Sequence, residues 1–291
     1  MTKVSVLGSG MMGSALTRAL LIGGHDVMVF DLDDTKMAPL VADGAKAASD
    51  SAELVAFGDV LVPSLPSYKG LQAALGREDV AAAVRGKTMV QLSSGSPSTV
   101  REFGDFVANL GVRYLEGRIK NYPKDVGKPG SKIIFSGDET IFAEVKPVMA
   151  ALAEHLKFVS PQLEAVSALD QAVVTASYGQ IWGMMLAGRL CQGYGVSPLA
   201  LLALVQETSP LNLEDLEKTG YPDLISGKFR DDLDTATITT WADSADMTLD
   251  SIRTAGLDDS IFAAIQKLMR DAENNGLSDR AIHAMATEMD A

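Results

Sequence analysis

Cysteine is nearly missing from these 291 residues: Cys191 is the only one. It can form no intramolecular disulfide, and the sequence fits a reducing compartment. Basic charge is also scarce. The 25 Lys and Arg against 38 Asp and Glu leave a formal net charge of −13. That balance disfavours nucleic acid and anionic membrane surfaces as partners, since both require a concentrated basic face. The three histidines, His25, His155 and His283, fall in unrelated segments and offer no metal-ligand spacing. No serine nucleophile elbow, internal repeat or low-complexity tract is found. The first residues lead straight into a strand-like run instead of a cationic leader with an apolar core, so the cytoplasm is the expected compartment. One stretch, Gln171 to Gly188, carries no formal charge and approaches the length of a bilayer span. Gln171, Thr175, Ser177, Tyr178 and Gln180 interrupt it, so the expectation is a helix covered on most sides by protein, with a subunit interface supplying that burial.

What is present is apolar bulk and a glycine-spaced turn. At 47% hydrophobic content the chain can bury a large core in two ordinary domains. The run Val4-Ser5-Val6-Leu7 enters Gly8-Ser9-Gly10-Met11-Met12-Gly13, then an apolar helix with Ala15, Leu16, Ala19 and Leu20. In a GxGxxG junction between strand and helix, the first glycine allows the tight turn. The second lets the backbone approach a pyrophosphate, and the third lets the helix pack on the sheet. The free N–H groups of the helix start then face the phosphates. A second strand, Asp26 to Phe30, ends in Asp31, at the spacing of a ribose-binding carboxylate.

From the N-terminus to about Lys157, β-rich runs alternate with helical ones, as in a parallel sheet with crossover helices. The expected strands are Lys3 to Leu7, Val27 to Phe30, Val60 to Val62, Thr88 to Leu92, Arg113 to Leu115 and Lys132 to Ser136. After Ser160-Pro161 the pattern is helical alone, punctuated by Ser197-Pro198, Ser209-Pro210 and Tyr221-Pro222. The expected fold is α/β: a Rossmann-type doubly wound parallel sheet over residues 1–160, a long interdomain helix over 161–195, and an all-helical domain over 196–291. A substrate cleft is expected between the domains.

With these motifs in place, the chain resembles the imine reductases and reductive aminases of the β-hydroxyacid dehydrogenase superfamily. Besides the glycine turn, the resemblance rests on Gln91-Leu92-Ser93-Ser94-Gly95-Ser96-Pro97, Tyr122-Pro123 through Gly130, Ile134-Phe135-Ser136-Gly137-Asp138, and Ala168-Leu169-Asp170-Gln171-Ala172 followed by Ser177-Tyr178-Gly179. At Asp170 the β-hydroxyacid dehydrogenases carry a lysine and many imine reductases an aspartate or tyrosine. A developing alkoxide calls for a cation, an iminium for an anion. The alternative for Asp170 is a carboxylate favourable to the helix dipole. The resemblance implies NADH or NADPH as cofactor, an imine or ketone as small-molecule substrate, and a homodimer whose subunits share helices. It gives Asp170 the substrate nitrogen, with Tyr178 assisting. Gly8, Ser9, Gly10, Met11, Met12 and Gly13 would hold the pyrophosphate, Asp31 the adenosine ribose, and Pro66, Ser93 and Ser94 would border the nicotinamide half.

Three departures from the family pattern bear on function. The family usually carries an Asn-Arg-Thr-like run that pairs with the NADPH 2′-phosphate. Here Asp31-Leu32-Asp33-Asp34-Thr35-Lys36 surrounds that position with carboxylates, offset by Lys36, which favours NADH. Arg118 and Lys120 enter a loop that is small and apolar in the family. They imply a substrate carboxylate, or Lys120 as a proton source; the alternatives are a solvated loop or a pair with Glu116. Ser94 replaces an asparagine common in reductive aminases. The rivals to imine reduction are a β-hydroxyacid dehydrogenase acting on C–OH, with Lys120 as stand-in cation, and a nucleotide-binding regulator without turnover.

Overall fold

A computed structural model describes residues 1–208, 213–230 and 236–289, which form two compact units, Met1–Ala176 and Ser177–Ala291. The Ser209-Pro210 break lies outside the described residues.

The first unit is one eight-stranded sheet. Its strands are β1 (Lys3–Leu7), β2 (Asp26–Phe30), β3 (Lys46–Ala47), β4 (Val60–Pro63), β5 (Thr88–Gln91), β6 (Arg113–Ile119), β7 (Lys132–Gly137) and β8 (His155–Ser160), in the spatial order β3-β2-β1-β4-β5-β6-β7-β8. All neighbours are parallel except β6 and β7, so the sheet is mixed at that one pairing. Side chains alternate between faces along a strand, and both faces are covered. Val4, Val6, Val27, Val29, Val60 and Val62 enter one core with Leu16 and Leu20, while Leu7, Met28, Leu61 and Met89 enter the other with Leu54 and Phe103. Burial on both sides explains why these strands read as unbroken apolar runs.

The crossovers are α1 (Met11–Ile22), α2 (Asp34–Ala42), α3 (Ser51–Phe57), α4 (Tyr68–Leu75), α5 (Glu78–Val84), α6 (Pro97–Asn109) and α7 (Glu139–Met149). Asp33, Asp50, Ser67, Ser96 and Asp138 cap five of them through side-chain bonds to the first turn. The strand order reverses between β1 and β4, where Leu7 pairs with Pro63, and ligands of open α/β sheets bind outside the carboxyl ends at such a point. Helix α8 (Ala165–Gly193) leaves this unit as one 29-residue element.

The second unit is helical: α9 (Pro198–Thr208), α10 (Leu213–Asp215), α11 (Tyr221–Ser226), α12 (Ile238–Thr254) and α13 (Ser260–Ala272), then a 3₁₀ segment over Ile282–Met289. Ile238, Ala272, Ala284 and Met285 form its buried centre. Among the described residues no helix is long and apolar enough to cross a membrane. The uncharged middle of α8 is exposed in the single chain, with Tyr178 71%, Ile181 60% and Met185 65% accessible. The described residues of the single chain leave these side chains exposed, and the cover expected for this stretch is that of a subunit interface.

Candidate active site

The glycine turn has the geometry its spacing implies. Gly8 takes φ +102°, and a Cβ there would lie 2.5 Å from the Ser64 carbonyl oxygen. A Cβ on Gly13 would lie 2.0 Å from the Gly8 carbonyl oxygen, so α1 packs against the turn as only glycine allows. Gly10 faces open space, with nothing within 4 Å of the point a Cβ would occupy. It begins α1 without a side-chain cap, and the first amide to bond back is Ser14 N to Gly10 O, at 2.8 Å. The amides of the first turn are thus left to an external acceptor. Ser9 is 3% exposed, and its buried Oγ has no partner among the described residues. Free amides, an unpartnered hydroxyl and space above Gly10 suit a pyrophosphate.

Asp31 ties the ends of β1 and β2 together: its carboxylate accepts from Ser9 N at 2.7 Å and Asp33 N at 3.0 Å. Lys36 Nζ lies 3.8 Å from Asp31 and 3.7 Å from Asp33. The Thr35 hydroxyl, bonded to Asp33, holds that carboxyl below its ordinary range. A cleft of about 990 Å³ opens here. Gly8, Gly10, Met11, Met12, Asp31 and Lys36 line it, as do Pro66, Ser93 and Ser94. Ser9 and Gly13 are not among its lining residues. Leu32, Ala73, Ala74 and Arg77 also line the cleft, and none of them is expected from the motifs. Leu32, 95% exposed at the tip of an acidic turn, was the available signal. Arg77 is paired with Asp79 at 2.9 Å.

Lys120 follows β6 immediately, between the cleft-lining Ile119 and Pro123. Its Nζ donates to Asp170 Oδ1, and the two form an ion pair with side chains 27% and 11% exposed. The two candidate catalytic groups, which come from distant stretches of sequence, are one unit. Asp170 is the sixth residue of α8, past the first turn where the helix dipole acts, so the dipole does not account for it. The pair can hand a proton outward from an ammonium while the carboxylate keeps a positive charge nearby. Tyr178 lies two turns further along α8, in the second unit.

Arg118 is elsewhere. It is 1% exposed and donates through Nη1 to Glu116, which is 0% exposed. The expectation that Arg118 meets a substrate carboxylate is therefore corrected: alternation along β6 turns Glu116 and Arg118 to the same buried face. The alternative of a Lys120 pair with Glu116 is not the one found, since Glu116 is held by Arg118 and Lys120 by Asp170.

Residues 3–162 match the model of the NAD binding domain of 6-phosphogluconate dehydrogenase. An NADPH-dependent reductive aminase of Aspergillus oryzae is 30% identical over 185 residues, covering 63% of this chain and 62% of the aminase. The matched stretch thus spans a little under two thirds of that relative. The 2-(hydroxymethyl)glutarate dehydrogenase of Eubacterium barkeri is 24% identical over 71% of this chain and 69% of its own length. Among solved structures, a Myxococcus stipitatus imine reductase variant in complex with NAD⁺ superimposes over 100% of both chains with a TM-score of 0.95 at 23% identity. At that identity the likeness establishes the fold.

Proposed function

Because the chain belongs to the family of the NAD binding domain of 6-phosphogluconate dehydrogenase, we propose that it is a nicotinamide-dependent imine reductase acting on the C=N bond of a small cyclic imine or iminium ion. The observation that carries this reading is the Lys120–Asp170 pair beside the dinucleotide cleft. When bound, the reduced nicotinamide supplies the hydride. The Lys120 ammonium gives its proton to the imine nitrogen, and the positive charge moves from Nζ to the substrate without leaving the reach of the Asp170 carboxylate. Asp170 thereby favours the iminium, the form whose carbon accepts hydride. Lys120 regains its proton from solvent, to which it is 27% exposed. Pro66, Ser93 and Ser94 border the nicotinamide half and exclude water. Turnover of a five- or six-membered cyclic imine, followed by loss of reduced-nicotinamide absorbance, tests the reading. Cofactor binding without turnover on imine or ketone would favour a regulator instead.

The cofactor is NADH in preference to NADPH. A 2′-phosphate near the tip of β2 would meet Asp31 and Asp33, and Lys36 is already shared between them. Each like-charge contact at 4 Å costs about 4 kcal/mol at an effective dielectric near 20, so even a largely compensated site leaves a penalty. A KM for NADPH at least about ten-fold above that for NADH, equivalent to about 1.4 kcal/mol, is expected. Equal constants or an NADPH preference contradict it.

The protein acts as a cytoplasmic homodimer. Ile181, Met185 and Leu199, the last 75% exposed, are large apolar residues on α8 and α9 that a second subunit would cover. Size-exclusion with light scattering gives a dimer, and the Ile181→Glu/Met185→Glu variant shifts it to monomer. A monomeric wild type removes this assignment.

A further inference from the structure

The face of β6 that carries Tyr114, Glu116 and Arg118 is buried, and charges inside a protein persist only where their bonds are met. Glu116 meets this with three donors: Tyr68 Oη and Arg118 Nη1 on Oε1, Tyr114 Oη on Oε2. Arg118 then reaches out of the pair, giving Nη1 to the Gly117 carbonyl at 2.7 Å and Nη2 to the Gly95 carbonyl at 3.3 Å. The Gly95 carbonyl also accepts from Ser167 Oγ, a fully buried residue in the first turn of α8. Tyr68 closes the cluster. Its Oη lies 3.3 Å from the Ser93 carbonyl oxygen, and a Cβ on Gly95 would come within 2.6 Å of its ring, so residue 95 must be glycine.

We propose that the Gly95 carbonyl, held by Arg118 and Ser167, is the positioning point that fixes Asp170 relative to the Ser93–Ser94 wall of the cleft. Asp170 stands three residues after Ser167, on the same side of α8. Ser93 and Ser94 stand immediately before Gly95 and line the cleft. One oxygen thus ties the helix that carries the catalytic carboxylate to the loop that borders the nicotinamide half. Arg118 and Ser167 act through this oxygen as positioning residues and make no contact with substrate. The inference rests on the role given to Asp170 above.

Ser167→Ala tests it without unpairing a charge. Misplacement of a catalytic group by an ångström costs up to about a hundred-fold in rate, so kcat for the cyclic imine falls about ten-fold or more. KM for the imine and Kd for the dinucleotide stay within two-fold. Arg101→Ala is the control. It removes a different tether of the same region, the Arg101–Glu164 ion pair at 2.7 Å, and leaves kcat within two-fold. Equal losses in both variants, or no loss in Ser167→Ala, overturn the proposal. Amide hydrogen exchange reads the same coupling without activity: in Ser167→Ala, exchange rises together in residues 93–96 and 165–170. If the wild type reduces no imine, the reaction assignment falls, while exchange still decides the coupling: a joint rise supports it and unchanged exchange refutes it.

Discussion

Asp170→Ala lowers kcat for a cyclic imine by about 10²- to 10⁴-fold, the range over which a positioned proton-transfer group acts, and leaves the dinucleotide Kd within two-fold. The separation follows from placement. Asp170 is absent from the lining of the dinucleotide cleft, and its partner is Lys120. Removing the carboxylate takes away the anion that favours the iminium and frees the ammonium to swing towards solvent. Asp170→Asn keeps the volume and a hydrogen-bond acceptor while deleting the charge, and it falls nearly as far if electrostatics carry the effect. Lys120→Met removes the proton source for the imine nitrogen and leaves the carboxylate in place, and its loss is larger for neutral imines than for preformed iminium ions. Stopped-flow or steady-state rates on the two substrate types check this. An Asp170→Ala variant within three-fold of wild type would exclude the carboxylate from the chemistry.

Arg118→Met destabilises the protein by about 3–5 kcal/mol, the cost of leaving one member of a buried ion pair unmatched. Glu116 would remain at 0% exposure with only Tyr68 and Tyr114 as donors. Adding Glu116→Gln recovers much of the loss, because a neutral amide is cheaper to bury. The pH dependence has a definite sign. Burial holds the Glu116 carboxyl above its ordinary range. The folded state then binds a proton that the unfolded state releases, and this residue's contribution is present at low pH and lost as pH rises through the folded pKa. Without Arg118 that loss deepens, so the variant's deficit is larger at pH 8 than at pH 5. Urea unfolding at both values measures it. A deficit under 1 kcal/mol at both would mean that the pair is dispensable to the fold.

The contrast between Arg118 and Lys120 shows where the sequence was legible. Glycine turns, apolar strands and the carboxylate after β2 each obey a local spacing rule, and the glycine turn and Asp31 line one cleft. Reading a strand only to Leu115 treats Glu116 and Arg118 as loop charges. Continued to Ile119, the alternation Tyr114, Glu116, Arg118 places all three on one face. Which cation meets which acid depends on the pairing of β6 with β7 and on the first turns of α8, contacts 50 residues apart for Lys120 and Asp170. Strand β8 escapes the pattern because His155 and Lys157 alternate with Leu156 and Phe158 at the sheet edge, where an open flank tolerates charge. At two residues, β3 carries too little pattern to be seen. The carboxy-terminal run of the domain expected to be all-helical takes 3₁₀ geometry from Ile282.

The central claim is that the site reduces C=N and does not oxidise C–OH. One absorbance measurement at the reduced-nicotinamide band decides it: wild-type protein with NADH and a five- or six-membered cyclic imine, and in parallel with NAD⁺ and a β-hydroxy acid. Loss of NADH with the imine and no NADH formed from the hydroxy acid is the predicted result. Hydroxy-acid oxidation without imine reduction would contradict it and make Lys120 the cation of a dehydrogenase.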